Sequence, residues 1–164
     1  MKIISAPKLK DDFYTNLVDW GHNDQISVVL DNAAYLWSKR TNQTEKLIDG
    51  HISCVKWGRG LVIGEETGRL KIFDTEMKAE VQKWRKHEGR IGTIDIHGNQ
   101  NLIASGSKDK SILIWDIRSS EVISKLEGHR QEICGLKWSH EGNYLASGGN
   151  ENWVCLWNFR MNKL

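Results

Sequence analysis

The chain has 164 residues, with 23 Lys and Arg against 21 Asp and Glu. That length is one ordinary domain with room for a real core, and a net charge of +2 is too balanced to argue for a nucleic-acid or membrane surface. Three cysteines, at 54, 134 and 155, show neither a CxxC pair nor a metal spacing, which points to free thiols in a reducing compartment. Short β-like runs then follow one another along the chain, near 17–20, 26–30, 34–37 and 44–48, then 53–57, 61–64, 69–73 and 79–84. A third group lies near 91–96, 101–105, 111–115 and 121–125, and a last group near 133–138, 143–147 and 153–157. Turn residues separate the runs: Gly68, the Lys108–Asp109–Lys110 stretch, and Glu141–Gly142–Asn143. No 3.6-residue helical pattern persists.

The runs repeat. Trp37, Phe73, Trp115 and Trp157 each close an apolar run, at spacings of 36, 42 and 42. A second series, LVDW ending at Trp20, CVKW at Trp57, TIDI at Ile96 and GLKW at Trp138, is spaced by 37, 39 and 42. A period near 40 residues with short strands marks a propeller of four-stranded blades. Runs such as Ile112-Leu113-Ile114, apolar on both faces, fit a sheet sandwiched between two neighbours. The expected fold is an all-β, partial or open β-propeller of about four blades, in one domain with units at about 14–50, 51–87, 88–129 and 130–164.

Each unit carries further chemistry at fixed offsets. Counting back from Trp115, Asp109 is at −6, Ser105 at −10 and His87 at −28; from Trp157 the same offsets give Glu151, Ser147 and His129. Unit one keeps Asp31 and Ser27 relative to Trp37. A buried indole N–H needs an acceptor, a buried imidazole needs a carboxylate to fix its tautomer, and a serine hydroxyl can bridge the two. The same trio could suggest a hydrolase triad, but its recurrence in register with a tryptophan indicates a structural network. With no nucleophile elbow, phosphate loop or zinc motif, neither an enzyme nor a cofactor is expected.

These residues resemble a known family. EGHRQEICGLKW followed by YLASGGNEN is similar to a WD-repeat unit, with Gly128–His129 as its GH pair, and Trp115–Asp116 supplies the WD pair itself. More narrowly, APKLKDDFYTNLVDW, LDNAAYLWS, GHRQEICGLKWS and ASGGNEN resemble the Fizzy family, co-activators and substrate receptors of the anaphase-promoting complex, a ubiquitin ligase. The resemblance implies recognition of degron-bearing proteins, work in cell-cycle proteolysis, and residence in nucleus and cytoplasm. It places Asn150 and Asn152, on the top face, at the contacts to a KEN-type degron, and Asp19 where family members help hold the arginine of a destruction box. Both asparagines also suit a turn, since Asn tolerates left-handed backbone, and Asp19 could be a solvated strand-edge acid. Trp153 is either a surface aromatic for a partner or buried against a next blade. The alternative is a WD-repeat scaffold without a degron role.

The pattern also breaks. Family propellers have seven blades. The C-box segment upstream and the terminal Ile–Arg tail, both ligase-docking elements, are not found in the sequence. Unit two has Ile63 and Thr67 at the −10 and −6 positions, and Glu151 replaces a shorter Asp, which is expected to loosen its network. An open arc leaves apolar faces and strand edges uncovered. It could close by self-association with a second copy, by pairing of KIIS (residues 2–5) as a blade's outer strand, or with another polypeptide.

Overall fold

A computed structural model describes residues 3–21 and 24–159. Strands β1 (Val18–Trp20), β2 (Gln25–Leu30), β3 (Ala33–Ser38) and β4 (Gln43–Asp49) form one antiparallel sheet in sequence order. The second sheet holds β5 (Ile52–Trp57), β6 (Leu61–Glu65), β7 (Arg69–Asp74) and β8 (Ala79–Arg85). The third holds β9 (Ile91–Ile96), β10 (Leu102–Ser107), β11 (Ser111–Asp116) and β12 (Glu121–Glu127). The last has three strands among the described residues: β13 (Ile133–Trp138), β14 (Tyr144–Gly149) and β15 (Val154–Asn158). These are blades 1 to 4 of an open propeller arc. No helix long and apolar enough to cross a membrane occurs among the described residues.

The backbone repeats as the sequence does. The turn between the second and third strand of blades 2, 3 and 4 has a left-handed residue at the same place: Gly68 (φ 77°), Lys110 (φ 72°) and Asn152 (φ 65°). The turn after the third strand has one too, at Asn42, Lys78 and Ser120.

Three apolar seams join the blades. Leu17, Val29 and Ala34 of blade 1 pack on Ile52, Val55, Leu61, Ile63 and Phe73 of blade 2. Blade 2 then turns Cys54, Val62, Leu70 and Ile72 toward Ile91, Ile94, Ile103, Leu113 and Trp115 of blade 3. Blade 3 meets blade 4 through Leu102, Ala104, Ile112 and Ile114 against Ile133, Trp138 and Leu145. Alternation along each strand sends successive side chains to opposite seams, which is why the runs are apolar on both faces.

Register departs in blade 1. Trp115 lies opposite Ile103 and Trp157 opposite Leu145, but Trp37 lies opposite Ile26. The β2–β3 turn is therefore one residue shorter, and a one-residue change swaps the faces of a strand. Ser27 consequently sits opposite Leu36, on the blade 2 side, and donates its hydroxyl to the Asp19 carbonyl at 3.2 Å. Asp31 occupies the turn itself with φ 57° and pairs with Lys8 at 3.6 Å. The retained offsets in unit one thus do not rebuild the network expected from them.

Charged clasps close the inner ends of two seams. Asp19 on β1 accepts from Lys56 Nζ at 3.1 Å and from the Trp57 backbone N–H at 2.7 Å. Asp95 on β9 repeats this with Lys137 Nζ at 3.1 Å and the Trp138 N–H at 2.7 Å. The N-terminal segment is tied to the arc by Asn16, which bridges to Cys54 and donates to the Gly92 carbonyl at 3.1 Å. Ile3, Ile4 and Ser5 form no strand, so this part of KIIS does not complete a blade within the chain; Lys2 lies outside the described residues, as does the RMNKL segment (160–164).

Asp95→Ala orphans the buried Trp138 N–H and is expected to cost about 1–3 kcal/mol in urea unfolding. Lys137→Met, at a side chain 74% exposed, is expected to cost under about 1 kcal/mol in the same assay.

Candidate functional site

The expected network assembles in blade 3. Trp115 Nε1 donates to Ser105 Oγ at 2.8 Å, Ser105 Oγ lies 2.8 Å from His87 Nε2, and His87 Nδ1 lies 2.8 Å from Asp109 Oδ2. An ionised carboxylate only accepts, so Nδ1 carries a hydrogen, and in the neutral ring Nε2 accepts from Ser105. Asp109 also accepts from the Glu88 N–H at 3.0 Å, the Ser111 N–H at 2.9 Å and the Ser111 hydroxyl at 2.6 Å. Burial by itself would raise the Asp109 carboxyl, but hydrogen bonds from His87 and Ser111 outweigh it and hold it well below the usual carboxylate range. The trio has the connectivity of a hydrolase triad, yet Ser105 is fully buried and its oxygen is occupied by an indole. No substrate carbonyl reaches it.

Blade 4 repeats the arrangement: Trp157 Nε1 donates to Ser147 Oγ at 2.8 Å, Ser147 Oγ lies 2.7 Å from His129 Nε2, and His129 Nδ1 meets Glu151. The longer acid does not loosen this contact. Its extra methylene folds into space over Gly149, where blade 3 has Ser107; a Cβ on Gly149 would meet His129 Nδ1 at 2.6 Å and the Glu151 carboxylate closer still. Burial again raises the Glu151 carboxyl, and His129 more than reverses it.

Blade 2 solves the same packing without the network. Phe73 replaces the tryptophan and Ile63 the serine, so the third-strand position carries no indole N–H, although Trp57 on β5 buries one that has no partner among the described residues. On the same strands, buried Glu65 accepts from Lys71 at 2.7 Å and from Thr67 Oγ1 at 2.9 Å.

The blade 4 acid also positions a turn. Glu151 accepts from the Gln131 N–H at 3.1 Å, and the Asn150 N–H donates to the Glu132 carbonyl at 2.9 Å. The Asn150 side chain is exposed and donates Nδ2 to Gln131 Oε1 at 3.0 Å. Asn152 is exposed too, in the left-handed position of the turn, with its N–H on the Gly149 carbonyl at 3.1 Å. Trp153, the next residue, is 44% exposed, and the Arg130 guanidinium lies 4.8 Å from its ring centroid. The turn therefore presents two carboxamides, an indole and a cation beside one another.

One residue that sequence reasoning missed braces this face. Arg90, just before β9, donates to both Glu132 carboxylate oxygens at 3.0 and 3.2 Å and to Asp12 Oδ2 at 2.8 Å, and it lies 5.6 Å from the Tyr14 ring centroid. It joins the entries of blades 3 and 4 to the N-terminal segment. The available signal was that Arg90 and Glu132 are separated by 42 residues, one repeat, with opposite charge.

Asp19 is not brought to this face. Asn150 lies at the end where the innermost strands begin, whereas Asp19, on β1, accepts from the last two residues of β5, at the other end. A partner arginine would have to displace Lys56 to reach it.

Tryptophan-centred four-stranded sheets stacked through apolar seams define a WD-repeat propeller. The family model "WD domain, G-beta repeat" matches residues 78–116 and 120–158, the two spans that contain the two complete tryptophan networks. The chain is 40% identical over 149 residues to anaphase-promoting complex subunit cdh1 of Dictyostelium discoideum, covering 85% of this chain and 20% of that protein. It is 41% identical over 146 residues to protein FIZZY-RELATED 1 of Arabidopsis thaliana, covering 84% and 30%. Anaphase-promoting complex subunit cdc20 of Dictyostelium discoideum is 36% identical over 147 residues, covering 84% and 29%. A chain in a crystal structure of a mitotic checkpoint complex superposes with a TM-score of 0.90 at 32% identity, over 96% of this chain and 50% of that one. The chain is a WD-repeat protein of the Fizzy family, spanning a minor part of the length of these curated relatives.

Two outcomes follow from the networks. Gly149→Ala is expected to destabilise by about 1–3 kcal/mol in urea unfolding, as overpacking does. The folded Asp109 carboxyl lies below its unfolded value of about 3.9, so its contribution is whole above that pH and is lost as the pH falls toward the folded value. The stability gap between the natural chain and Asp109→Asn, measured by urea titration from neutral to acid pH, should therefore shrink below about pH 4.

Proposed function

We propose that this chain is a degron-recognition subunit of the anaphase-promoting complex type, acting by binding and not by catalysis, with Asn150 as its principal contact to a KEN-type peptide. The observation that carries this reading is the pinned turn. His129 and Gln131 hold Glu151 from within, the Glu132 carbonyl holds the Asn150 backbone, and the Asn150 and Asn152 side chains stay exposed. A carboxamide donates and accepts at once, which suits the Lys, Glu and Asn side chains of such a motif. A turn already fixed by its scaffold loses little entropy on binding. The names of its relatives support engagement with the same complex. Self-association of the arc belongs to this reading as well. Asp19, held in its clasp, receives no degron role in the proposal.

The test is fluorescence anisotropy with a KEN peptide and its triple-alanine counterpart. Selective binding of the KEN peptide is expected. Asn150→Ala should weaken it about tenfold, the equivalent of roughly 1.4 kcal/mol. At position 152, Asn152→Gly is the informative variant, because it removes the carboxamide while keeping the left-handed backbone. Equal or absent binding of the two peptides by folded protein would favour the scaffold reading.

A further inference from the structure

We propose that Arg130 and Trp153 form a second subsite beside the Asn150 turn, one that takes an acidic side chain flanking the KEN-type motif. The inference rests on the degron reading for the identity of the peptide, and on blade 4 alone for the chemistry of the subsite.

Blades 3 and 4 agree at the network histidine and serine and differ at two positions that meet in space. The residue after the network histidine is Glu88 in blade 3 and Arg130 in blade 4. The residue four before the network tryptophan is Ser111 in blade 3 and Trp153 in blade 4. Ser111 is consumed within its own blade: it is buried, and its hydroxyl donates to Asp109 at 2.6 Å. Trp153 is 44% exposed, and its indole makes no hydrogen bond among the described residues. Blade 3 folds the same network with neither an arginine nor an indole at these places, so the fold does not demand the pair.

The exposure of Trp153 does not depend on what lies beyond residue 159. Trp153 continues the side of β15 that carries Trp157 toward blade 3. The same position in the four-stranded sheet of blade 2 is Arg69, which is exposed.

The subsite has a sign. The Arg130 guanidinium lies 4.8 Å from the Trp153 ring centroid. Contact through the π face occupies none of the five N–H donors of a guanidinium, and Arg130 makes no ion pair among the described residues. Arg90 on the same face is engaged by Glu132 and Asp12, and Lys10 by Glu66. A carboxylate suits the free fork of Arg130, and the indole offers a flat apolar floor for the methylene stem of an acidic side chain.

Placement joins this pair to the motif. Arg130, Gln131 and Glu132 are consecutive. The first meets Trp153, the second accepts from the Asn150 side chain at 3.0 Å, and the carbonyl of the third accepts from the Asn150 N–H at 2.9 Å. Across the hairpin the Gly149 N–H donates to the Trp153 carbonyl at 3.1 Å, so Trp153 stands opposite the residue before Asn150. A flanking residue within about three positions of the motif, at roughly 3.3 Å per extended residue, spans that interval.

The test is fluorescence anisotropy with KEN peptides that differ only in one flanking residue, Glu, Gln or Lys, placed in turn at the nearest positions on either side of the motif. At one of these positions the Glu peptide should bind about fivefold tighter than the Gln peptide, and the ratio should shrink as salt is added. Arg130→Gln should erase the ratio, and Arg130→Glu should turn it toward the Lys peptide. Trp153→Ser should reduce it with unchanged far-ultraviolet circular dichroism, since blade 3 accommodates serine there. Asn150→Ala should weaken every peptide and leave the ratio intact, which separates the two claims. In a parallel nuclear magnetic resonance titration, the Trp153 indole N–H signal should move with a Glu-flanked triple-alanine peptide and not with its Gln counterpart. Equal binding of the Glu and Gln peptides at every position by the natural chain overturns the proposal. So does a silent indole signal, or an Arg130→Gln variant that keeps the preference. Equal binding of the KEN and triple-alanine cores with the flank preference retained supports the subsite and overturns only the degron reading.

Discussion

The indole N–H groups of Trp115 and Trp157 are each given a serine acceptor, and blades 3 and 4 are arranged around that contact, while the buried N–H groups of Trp57 and Trp138 sit in their seams without one among the described residues. Histidine then meets the serine, and an acid in the next turn meets the histidine. Unmet polar groups are costly in a low-dielectric interior and mutually satisfied ones reinforce each other. The network therefore ties two strands, a hairpin turn and the loop entering the blade into one unit. Blade 2 illustrates the logic by exception: with Phe73 in place of tryptophan and Ile63 in place of serine, demand and supply vanish together.

The networks govern the loop end of blades 3 and 4 and the Asp95–Lys137 clasp the opposite end, so the seam between these two blades is fixed at both extremities of its apolar middle. The Asn150 turn inherits its order from this division. It is held by a side chain from within its own blade and by a backbone carbonyl from the loop beside it, and Arg90 fixes that loop to blade 3 and to the N-terminal segment. A flexible peptide meeting such a surface finds the ordering cost already met by the scaffold.

Most of the architecture was legible because it depends on repeated offsets. Strand positions, the period and both complete networks follow from aligning Trp115 with Trp157. What escaped depends on parity or on compensation. Ser27 keeps its distance from Trp37, but one residue fewer in the β2–β3 turn moves it to the other face. Glu151 reads as a misfit until Gly149 is seen to make room for it. Arg90 and the Asp19–Lys56 and Asp95–Lys137 clasps were visible as opposite charges one repeat apart, a pairing that a search for Trp-anchored offsets does not examine. Asn150 and Asn152 look alike in sequence, yet one meets a neighbouring loop through its side chain and the other satisfies the backbone.

That last distinction bears on how such a loop can diverge. The left-handed site occupied by Gly68, Lys110 and Asn152 admits glycine and asparagine readily and penalises β-branched residues. Evolution can thus vary the site of Asn150 freely but must choose at the site of Asn152 from a short alphabet. Asparagine is the member of that alphabet that brings a hydrogen-bonding group at little conformational expense, so new binding preferences on this turn should arise first at its leading corner.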